Sequence, residues 1–196
     1  MRIIAGTHSR LLLKSPKGMR TRPTSGRTRA AFFNICQTYI QGARFLDLCA
    51  GSGAMGFEAL SRGAASVCFI DSSRDAISCI KANARSLQVE GCCSILEGEW
   101  GFWIEKLGKK GEQFDLIFAD PPYGQLVDRG VYMSEKIIRT VDASPILAPG
   151  GLLFIEEDSA CIHPLEGLSY LQLRDTRRFG RTAMQHYLSK QSEESV

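Results

Sequence analysis

What the chain lacks narrows its class first. Its 196 residues include only three histidines, and its seven cysteines are scattered as Cys36, Cys49, Cys68, Cys79, Cys92, Cys93 and Cys161. The number is odd and no pair has Cys-x-x-Cys spacing, so neither a disulfide framework nor a zinc site is expected, and no metal is expected at all. Buried, reduced thiols in an intracellular protein fit this pattern. No apolar run approaches the roughly 18 residues that cross a bilayer. The opening Met1-Arg2-Ile3-Ile4-Ala5-Gly6-Thr7-His8 turns polar too soon for a signal peptide. A soluble, cytoplasmic protein with no membrane partner is the expectation. Repeats and low-complexity stretches are also missing. With 44% hydrophobic and 23% charged residues, the length suits one domain with a sizeable core.

One further absence is local. The first 46 residues hold nine Lys/Arg and no carboxylate; Asp47 is the first acid. The overall charge is only +3, because the rest of the chain carries 15 basic and 21 acidic residues. A second basic cluster, Arg174, Arg177, Arg178 and Arg181, stands near the end. A basic arm on an acidic body fits a polyanionic partner, since Lys/Arg gain by displacing counterions from phosphates. The plainer alternative is a solvated basic face with no partner.

Residues 2–14 read as a hairpin, and 15–25, rich in Pro, Gly, Thr and Ser, as a loop. Thr24 or Ser25 is placed to cap a helix over 26–40 with Ala30, Phe32 and Phe33 on its apolar side. From residue 43 the chain alternates. Strands are expected at 44–48, 66–71, 92–97, 114–119 and 151–156, and helices at 53–62, 73–87, 100–108 and 130–144. Short apolar strands separated by amphipathic helices imply a mostly parallel α/β sheet covered on both faces. The tail, 168–175 and 181–189, reads as an antiparallel C-terminal strand pair turning near Phe179-Gly180. The expected division is a basic N-terminal extension over 1–40, a main domain over 41–190 and a tail over 191–196. In such sheets ligands bind beyond the carboxyl ends of the strands.

After the first strand comes Asp47-Leu48-Cys49-Ala50-Gly51-Ser52-Gly53-Ala54-Met55-Gly56. Gly51, Gly53 and Gly56 match G-x-G-x-x-G, and Asp71 follows Gly51 by 20 residues at the end of the second strand. A carboxylate there can accept the hydroxyls of an adenosine ribose. Dinucleotides and S-adenosylmethionine (SAM) both carry an adenosine. Asp47 favours SAM: a carboxylate before the loop repels a pyrophosphate but can hold a methionyl ammonium. Glu99, after the third strand, fits two roles equally. It can accept the adenine amine, or it can be a helix N-terminal acid favoured by the dipole.

The sharpest signal is Asp120-Pro121-Pro122-Tyr123, which ends the apolar strand Phe114-Asp115-Leu116-Ile117-Phe118-Ala119. Two prolines remove two backbone donors. What remains is an array of acceptors, the Asp120 carboxylate and nearby carbonyls, suited to a planar amine held by its N–H bonds. Holding those hydrogens favours the positive, pyramidal nitrogen that develops when the amine attacks a methyl group. This is oxyanion-hole preorganisation with the sign reversed. The Tyr123 ring can stack on the target base, a contact worth about 1–3 kcal/mol.

The chain here resembles the amino-group methyltransferases with a Rossmann-like SAM domain, and most closely the RsmD family of bacterial 16S ribosomal RNA guanine-N2 methyltransferases. The likeness runs through Met1-Arg2-Ile3-Ile4-Ala5-Gly6, Arg22-Pro23-Thr24, Arg27, Phe33-Asn34, the loop Asp47–Gly53, Glu58-Ala59-Leu60-Ser61-Arg62-Gly63-Ala64 and Asp120-Pro121-Pro122-Tyr123. The resemblance implies transfer of a methyl group from SAM to N2 of one guanine. The implied substrate is 16S ribosomal RNA in the small subunit or its assembly intermediate, met by a monomeric enzyme. It implies SAM contacts at Asp47, Gly51, Gly53 and Asp71, with Ala50 of the same loop and Glu99, where relatives usually have Asp or Asn, as further candidates, and catalytic contacts at Asp120, Pro121, Pro122 and Tyr123. Arg10, Arg22, Thr24, Arg27 and Arg29 are expected to meet RNA, with the cofactor carboxylate an alternative partner for Arg22, Arg27 and Arg29. Competing readings are a DNA adenine-N6 or other RNA-base methyltransferase with the same motif, an NAD-dependent oxidoreductase, and a non-catalytic RNA-binding assembly factor.

Overall fold

A computed structural model describes residues 1–16, 26–122, 124–127 and 130–190, with Arg27 described by its backbone only. Two compact units divide the chain, Met1–Trp103 and Ile104–Val196. Three strands of the sheet belong to the first unit and four to the second.

The first unit contains α1 (Gly26–Ile35), β1 (Arg44–Leu48), α2 (Ala54–Ser61), β2 (Ser66–Asp71), α3 (Arg74–Leu87) and β3 (Cys93–Glu97), and α4 (Trp100–Lys109) begins at its end. β1 runs parallel to β2 from Arg44↔Ser66 to Leu48↔Ile70, and β2 runs parallel to β3 from Val67↔Cys93 to Asp71↔Glu97. Parallel neighbours need crossovers, which α2 and α3 supply. Phe45, Leu46, Leu48, Val67, Phe69 and Ile70 are buried, as strands covered on both faces require. α3 is amphipathic, burying Ala76, Ile77, Ile80, Ala84 and Leu87, and the Ser73 side chain caps it by accepting from Ala76 N–H.

The N-terminal hairpin is narrower than the sequence suggests. A single bridge, Arg2↔Leu12, and bonds such as Arg10 N–H to the Ile3 carbonyl close it. α1 ends at Ile35 rather than 40, because Cys36–Ile40 tighten into turns in which Tyr39 and Ile40 N–H both donate to the Cys36 carbonyl. Phe32 and Phe33 are both buried and meet edge to face with centroids 4.7 Å apart.

The second unit contains β4 (Phe114–Ala119), β5 (Leu126–Val127), β6 (Val131–Tyr132), α5 (Met133–Asp142), β7 (Leu147–Asp158), β8 (Leu171–Phe179) and β9 (Thr182–Ser189). β4 and β7 are parallel, while β9 is antiparallel to both β7 and β8. α5 starts three residues later than the pattern predicts because 126–127 and 131–132 pair into a small antiparallel sheet. β8 reaches Phe179, beyond the expected 175, and Gly180 turns the chain with φ +67°. Its start is fixed by Asp142, whose carboxylate accepts from Ser169, Tyr170 and Leu171 N–H at 2.7–2.8 Å.

None of the seven cysteines forms a disulfide. Cys36, Cys68 and Cys79 are buried, but Cys92 is exposed and Cys49, Cys93 and Cys161 are half-buried, so the expectation of uniformly buried thiols is too broad. Among the described residues no helix is long and apolar enough to cross a membrane, and no group of three or more His, Cys, Asp or Glu could hold a metal ion.

Candidate active site

The glycine loop of the first unit is framed by carboxylates that accept from its own backbone. Asp71, at the end of β2, accepts from Gly51 N–H at 2.7 Å with one oxygen and from Ser73 N–H at 2.8 Å with the other. The same carboxylate therefore fixes the loop and the start of α3. An ionised carboxylate has about four lone-pair sites, so acceptor capacity remains for a ribose. Ala50 N–H donates to the Ile70 carbonyl, and Gly53 N–H to the Ala50 carbonyl.

Two glycines do different work. Gly53 stands at φ +76°, and a Cβ there would lie 2.7 Å from the Phe57 ring. Gly56 is an ordinary helical residue, but a Cβ would lie 2.3 Å from Phe69 and 2.7 Å from Val67, so it allows α2 to pack closely on β2. Its role is packing rather than ligand contact.

Asp47 lies beneath this loop, buried, and accepts from Gly56 N–H at 3.0 Å. Burial drives its carboxyl well above the usual range; the Gly56 bond opposes this and the charge of Asp71 adds to it. Two neighbouring acids, one desolvated, form a place where a cation relieves a cost. The donor set fits a SAM-like ligand: carboxylates for a cation and a ribose, and a loop that approaches closely. Glu99 is exposed, and its carbonyl accepts from Trp103 N–H at 3.3 Å, directly before α4. Beside it, Trp103 Nε1–H donates to the Glu97 carbonyl at 3.1 Å.

The N-terminal arm separates into unlike parts. Arg10 is exposed at φ +70°. Arg22 and Thr24 lie outside the described residues, as does the side chain of Arg27. Arg29 requires a correction: it is buried, not offered to RNA. Its Nη2 donates to the Arg2 carbonyl at 2.6 Å, its Nε lies 3.8 Å from Glu58, and burial pulls its pKa down while Glu58 opposes that. The physical reason is Glu58, a fully buried acid of α2. It accepts from Ile4 N–H at 2.7 Å, Ala5 N–H at 3.0 Å and Arg62 Nε at 2.8 Å, and so needs cationic company. Asn83 of α3 fastens the arm a second time. Its Oδ1 accepts from Lys14 N–H, and its Nδ2 is within donating distance of the Lys14 and Ser52 carbonyls at 3.1 and 3.0 Å.

In the second unit Asp120 follows β4 directly and is half-buried; Pro121 is buried and Pro122 exposed. Tyr123 lies outside the described residues. Glu157, near the end of β7, holds the outgoing side of this segment. It is fully buried, and its Oε1 accepts from Gly124 N–H at 2.9 Å and Asp158 N–H at 2.7 Å. Among the described residues its buried Oε2 has no hydrogen-bond partner. Gln125 N–H donates to the Pro122 carbonyl at 3.3 Å, closing the turn.

The family model described as "Conserved hypothetical protein 95" matches residues 1–188. The chain belongs to this family. It is the family, RsmD, that the glycine loop and the Asp-Pro-Pro-Tyr segment resemble. Among similar proteins, the Bacillus subtilis protein named "Putative rRNA methyltransferase YlbH" is 30% identical over 187 residues, 95% of this chain and 98% of that protein. "Ribosomal RNA small subunit methyltransferase D" of Escherichia coli K12 is 32% identical over 158 residues, 81% of this chain and 75% of that one. A solved structure described as "Putative methyltransferase yhhF from Escherichia coli" matches with TM-score 0.81 at 29% identity, covering 97% of this chain and 98% of that one.

Three residues hold the loops in ways the sequence reading does not anticipate: Glu58, quoted there only as part of the family resemblance, Asn83 and Glu157. Two of them carry a visible signal. Glu58 interrupts the apolar Met55-Gly56-Phe57 and Ala59-Leu60 of α2, and Glu157 follows Leu152-Leu153-Phe154-Ile155-Glu156. A carboxylate within an apolar element must find partners or lose its charge.

Proposed function

We propose that this chain transfers a methyl group from SAM to the exocyclic N2 amine of a guanine in 16S ribosomal RNA. The substrate we favour is the RNA within the small ribosomal subunit or an assembly intermediate, met in the cytoplasm by a monomer. The observation that carries the reading is the Asp120-Pro121-Pro122 segment. A carboxylate leads it, buried and exposed prolines follow, and a second carboxylate clamps its exit at Gly124.

The division of labour follows from the chemistry of each region. In the first unit the loop from Ala50 to Gly53 and the Asp71 carboxylate suit an adenosine, and Asp47 suits an ammonium. When bound, SAM supplies an electrophilic methyl group on a sulfonium that leaves as a neutral thioether. In the second unit Asp120 and the Pro121 carbonyl accept the two N–H bonds of the guanine amine. The nitrogen lone pair, otherwise delocalised into the ring, is then available to form the N–C bond as the C–S bond breaks. Positive charge grows on the nitrogen during that step, and the Asp120 carboxylate stabilises it. One proton leaves the nitrogen afterwards, to Asp120 or to water, so no strong base is needed. Tyr123 would cover the base face by stacking. Much of the acceleration is positional.

The test is transfer of a labelled methyl group from SAM to three substrates side by side: small ribosomal subunits lacking the modification, naked 16S ribosomal RNA, and duplex DNA. Label in the subunits is the expected result, and the naked-RNA lane reports whether assembly is required. Label only in DNA, or in none of the three, overturns the reading.

A further inference from the structure

The arginines near the chain's end are not absorbed by the site above, yet the sheet register carries them to it. β4 and β7 are parallel, with Ala119 opposite Ile155. Asp120 follows Ala119, and Glu156 follows Ile155. Glu156 pairs with Met184 of β9, and Met184 pairs with Arg177 of β8. The next row runs from Glu157, which also accepts from Gly124 N–H, to Ala183 and Arg178. Arg177 and Arg178 thus lie in the two rows just beyond the Ala119–Ile155 pair, at the end of β4 from which the Asp-Pro-Pro-Tyr segment departs. Three strand spacings separate them from that end, about 14 Å at the usual spacing of neighbouring strands.

These side chains are presented outward. Arg174, Arg177, Arg178 and Arg181 are exposed, on an edge strand and its turn. Successive residues of a strand point to opposite faces, so Arg177 and Arg178 straddle that edge. Arg178 Nη1 donates to the Ser159 carbonyl at 2.7 Å, and Ser159 N–H donates to the Arg181 carbonyl, which ties the turn to the segment after β7. One acid tempers the cluster: Asp175 accepts from Arg177 Nε at 3.0 Å, and that bond lowers the Asp175 pKa.

We propose that the β8–β9 hairpin is a second RNA-binding edge that grips the phosphates flanking the target nucleotide through Arg174, Arg177 and Arg181, with Arg178 bracing the turn. The inference rests on the reading of the protein as an RNA methyltransferase and adds a contact surface far in sequence from the basic N-terminal arm. RNA suits this edge because guanidinium groups pair bidentately with phosphate, and an exposed edge strand tracks a backbone without reading its bases. An edge strand lined with arginine also resists pairing with another sheet, which argues against a second copy of the chain as the occupant.

The experiment measures the affinity of the full chain for naked 16S ribosomal RNA across a salt series, beside SAM affinity and thermal midpoint. The combined variant Arg174→Gln, Arg177→Gln, Arg181→Gln, which spares the turn brace, is expected to bind RNA at least about tenfold more weakly near 0.1 M salt. Its slope of log affinity against log salt should flatten by about 2, the value for three lost phosphate contacts on a single strand. SAM affinity and midpoint should not move. The opposite variant, Asp175→Asn, frees Arg177 and is expected to tighten RNA binding about two- to threefold and steepen the slope. Unchanged affinity and slope in both variants overturns the proposal, as does a loss restored by an added acidic protein partner rather than RNA. Failure of the enzymatic reading is separately visible, as an unaltered chain that transfers no methyl group to any ribosomal RNA.

Discussion

The two candidate half-sites are built on opposite principles. Around the glycine loop, side-chain acceptors hold backbone donors: Asp71 takes Gly51 and Ser73, Asp47 takes Gly56, and Asn83 ties Lys14 while its Nδ2 meets the Ser52 carbonyl. Around Asp120, prolines delete the donors, and one buried carboxylate, Glu157, pins the exit through Gly124. The first arrangement keeps the glycine loop in one shape by many bonds. The second relies on the covalent stiffness of its prolines. The difference teaches that damage should spread differently: through fold and cofactor affinity in the first unit, through turnover alone in the second.

The sharpest way to break that comparison is Asp120→Ala. Methyl transfer should fall by about 10²–10³-fold, the scale of losing one preorganised electrostatic contact, while SAM affinity stays put. Parallel loss of SAM affinity would merge the two half-sites and defeat the contrast.

Next in size is Glu58→Leu. This removes the only acid shared by Ile4, Ala5, Arg62 and Arg29 within 4 Å among the described contacts, and leaves Arg29 buried without its counter-charge. Stripping one partner from a buried pair costs about 3–5 kcal/mol. Urea unfolding should show that loss, with the N-terminal arm becoming sensitive to protease. A midpoint unchanged from the unaltered chain contradicts the assignment of Glu58 as the arm's anchor.

Glu157 separates stiffness from charge. In Glu157→Leu, Gly124 N–H loses its acceptor, and turnover on RNA should drop about 10- to 100-fold through misplacement of Asp120, with SAM affinity unchanged. Glu157→Gln keeps an oxygen acceptor and should restore most of the rate. Equal loss in both variants would show that the charge, rather than the clamp, matters.

The smallest effect is a pH dependence. Asp47 has its pKa raised by burial, so in the folded, ligand-free chain it holds its proton to higher pH than when unfolded. Its contribution to stability is present at low pH and is lost as pH rises through the raised value. A cationic ligand favours the ionised form, so SAM binding releases that proton and its affinity should rise several-fold with pH across the same window. Asp47→Asn should flatten the profile. Calorimetry in two buffers of different ionisation enthalpy reads the proton release directly, and no release would remove Asp47 from the ammonium contact.

Much of this was legible in the residues because the parallel half of the sheet follows simple periodicity. β1, β2 and β4 begin and end where the apolar runs do, since strands buried on both faces have no reason to extend into polar sequence. The β5–β6 pair and the full length of β8 were not legible. Two-residue strands leave no period, and β8 is an exposed edge whose pattern alternates imperfectly through a bulge between Leu173 and Asp175. At the site, Asp47, Gly51, Gly53, Asp71 and Asp120 stood out because each combines a special residue type with a strand end. Arg29 misled for an instructive reason: charge counting treats every arginine as surface, and only the tertiary partner Glu58 draws this one inside. Glu157 and Asn83 act on backbone groups distant in sequence, a relation no local pattern encodes.

The measurement that bears most directly on the account is the identity of the product nucleoside. Small ribosomal subunits lacking the modification are labelled with SAM by the full chain, the RNA is digested to nucleosides, and the labelled species is identified by mass. The account predicts N2-methylguanosine at a single position. Label on a ring nitrogen or on ribose would contradict it, because neither presents the paired N–H bonds of an exocyclic amine to Asp120 and Pro121; label on the adenine amine would overturn the choice of guanine.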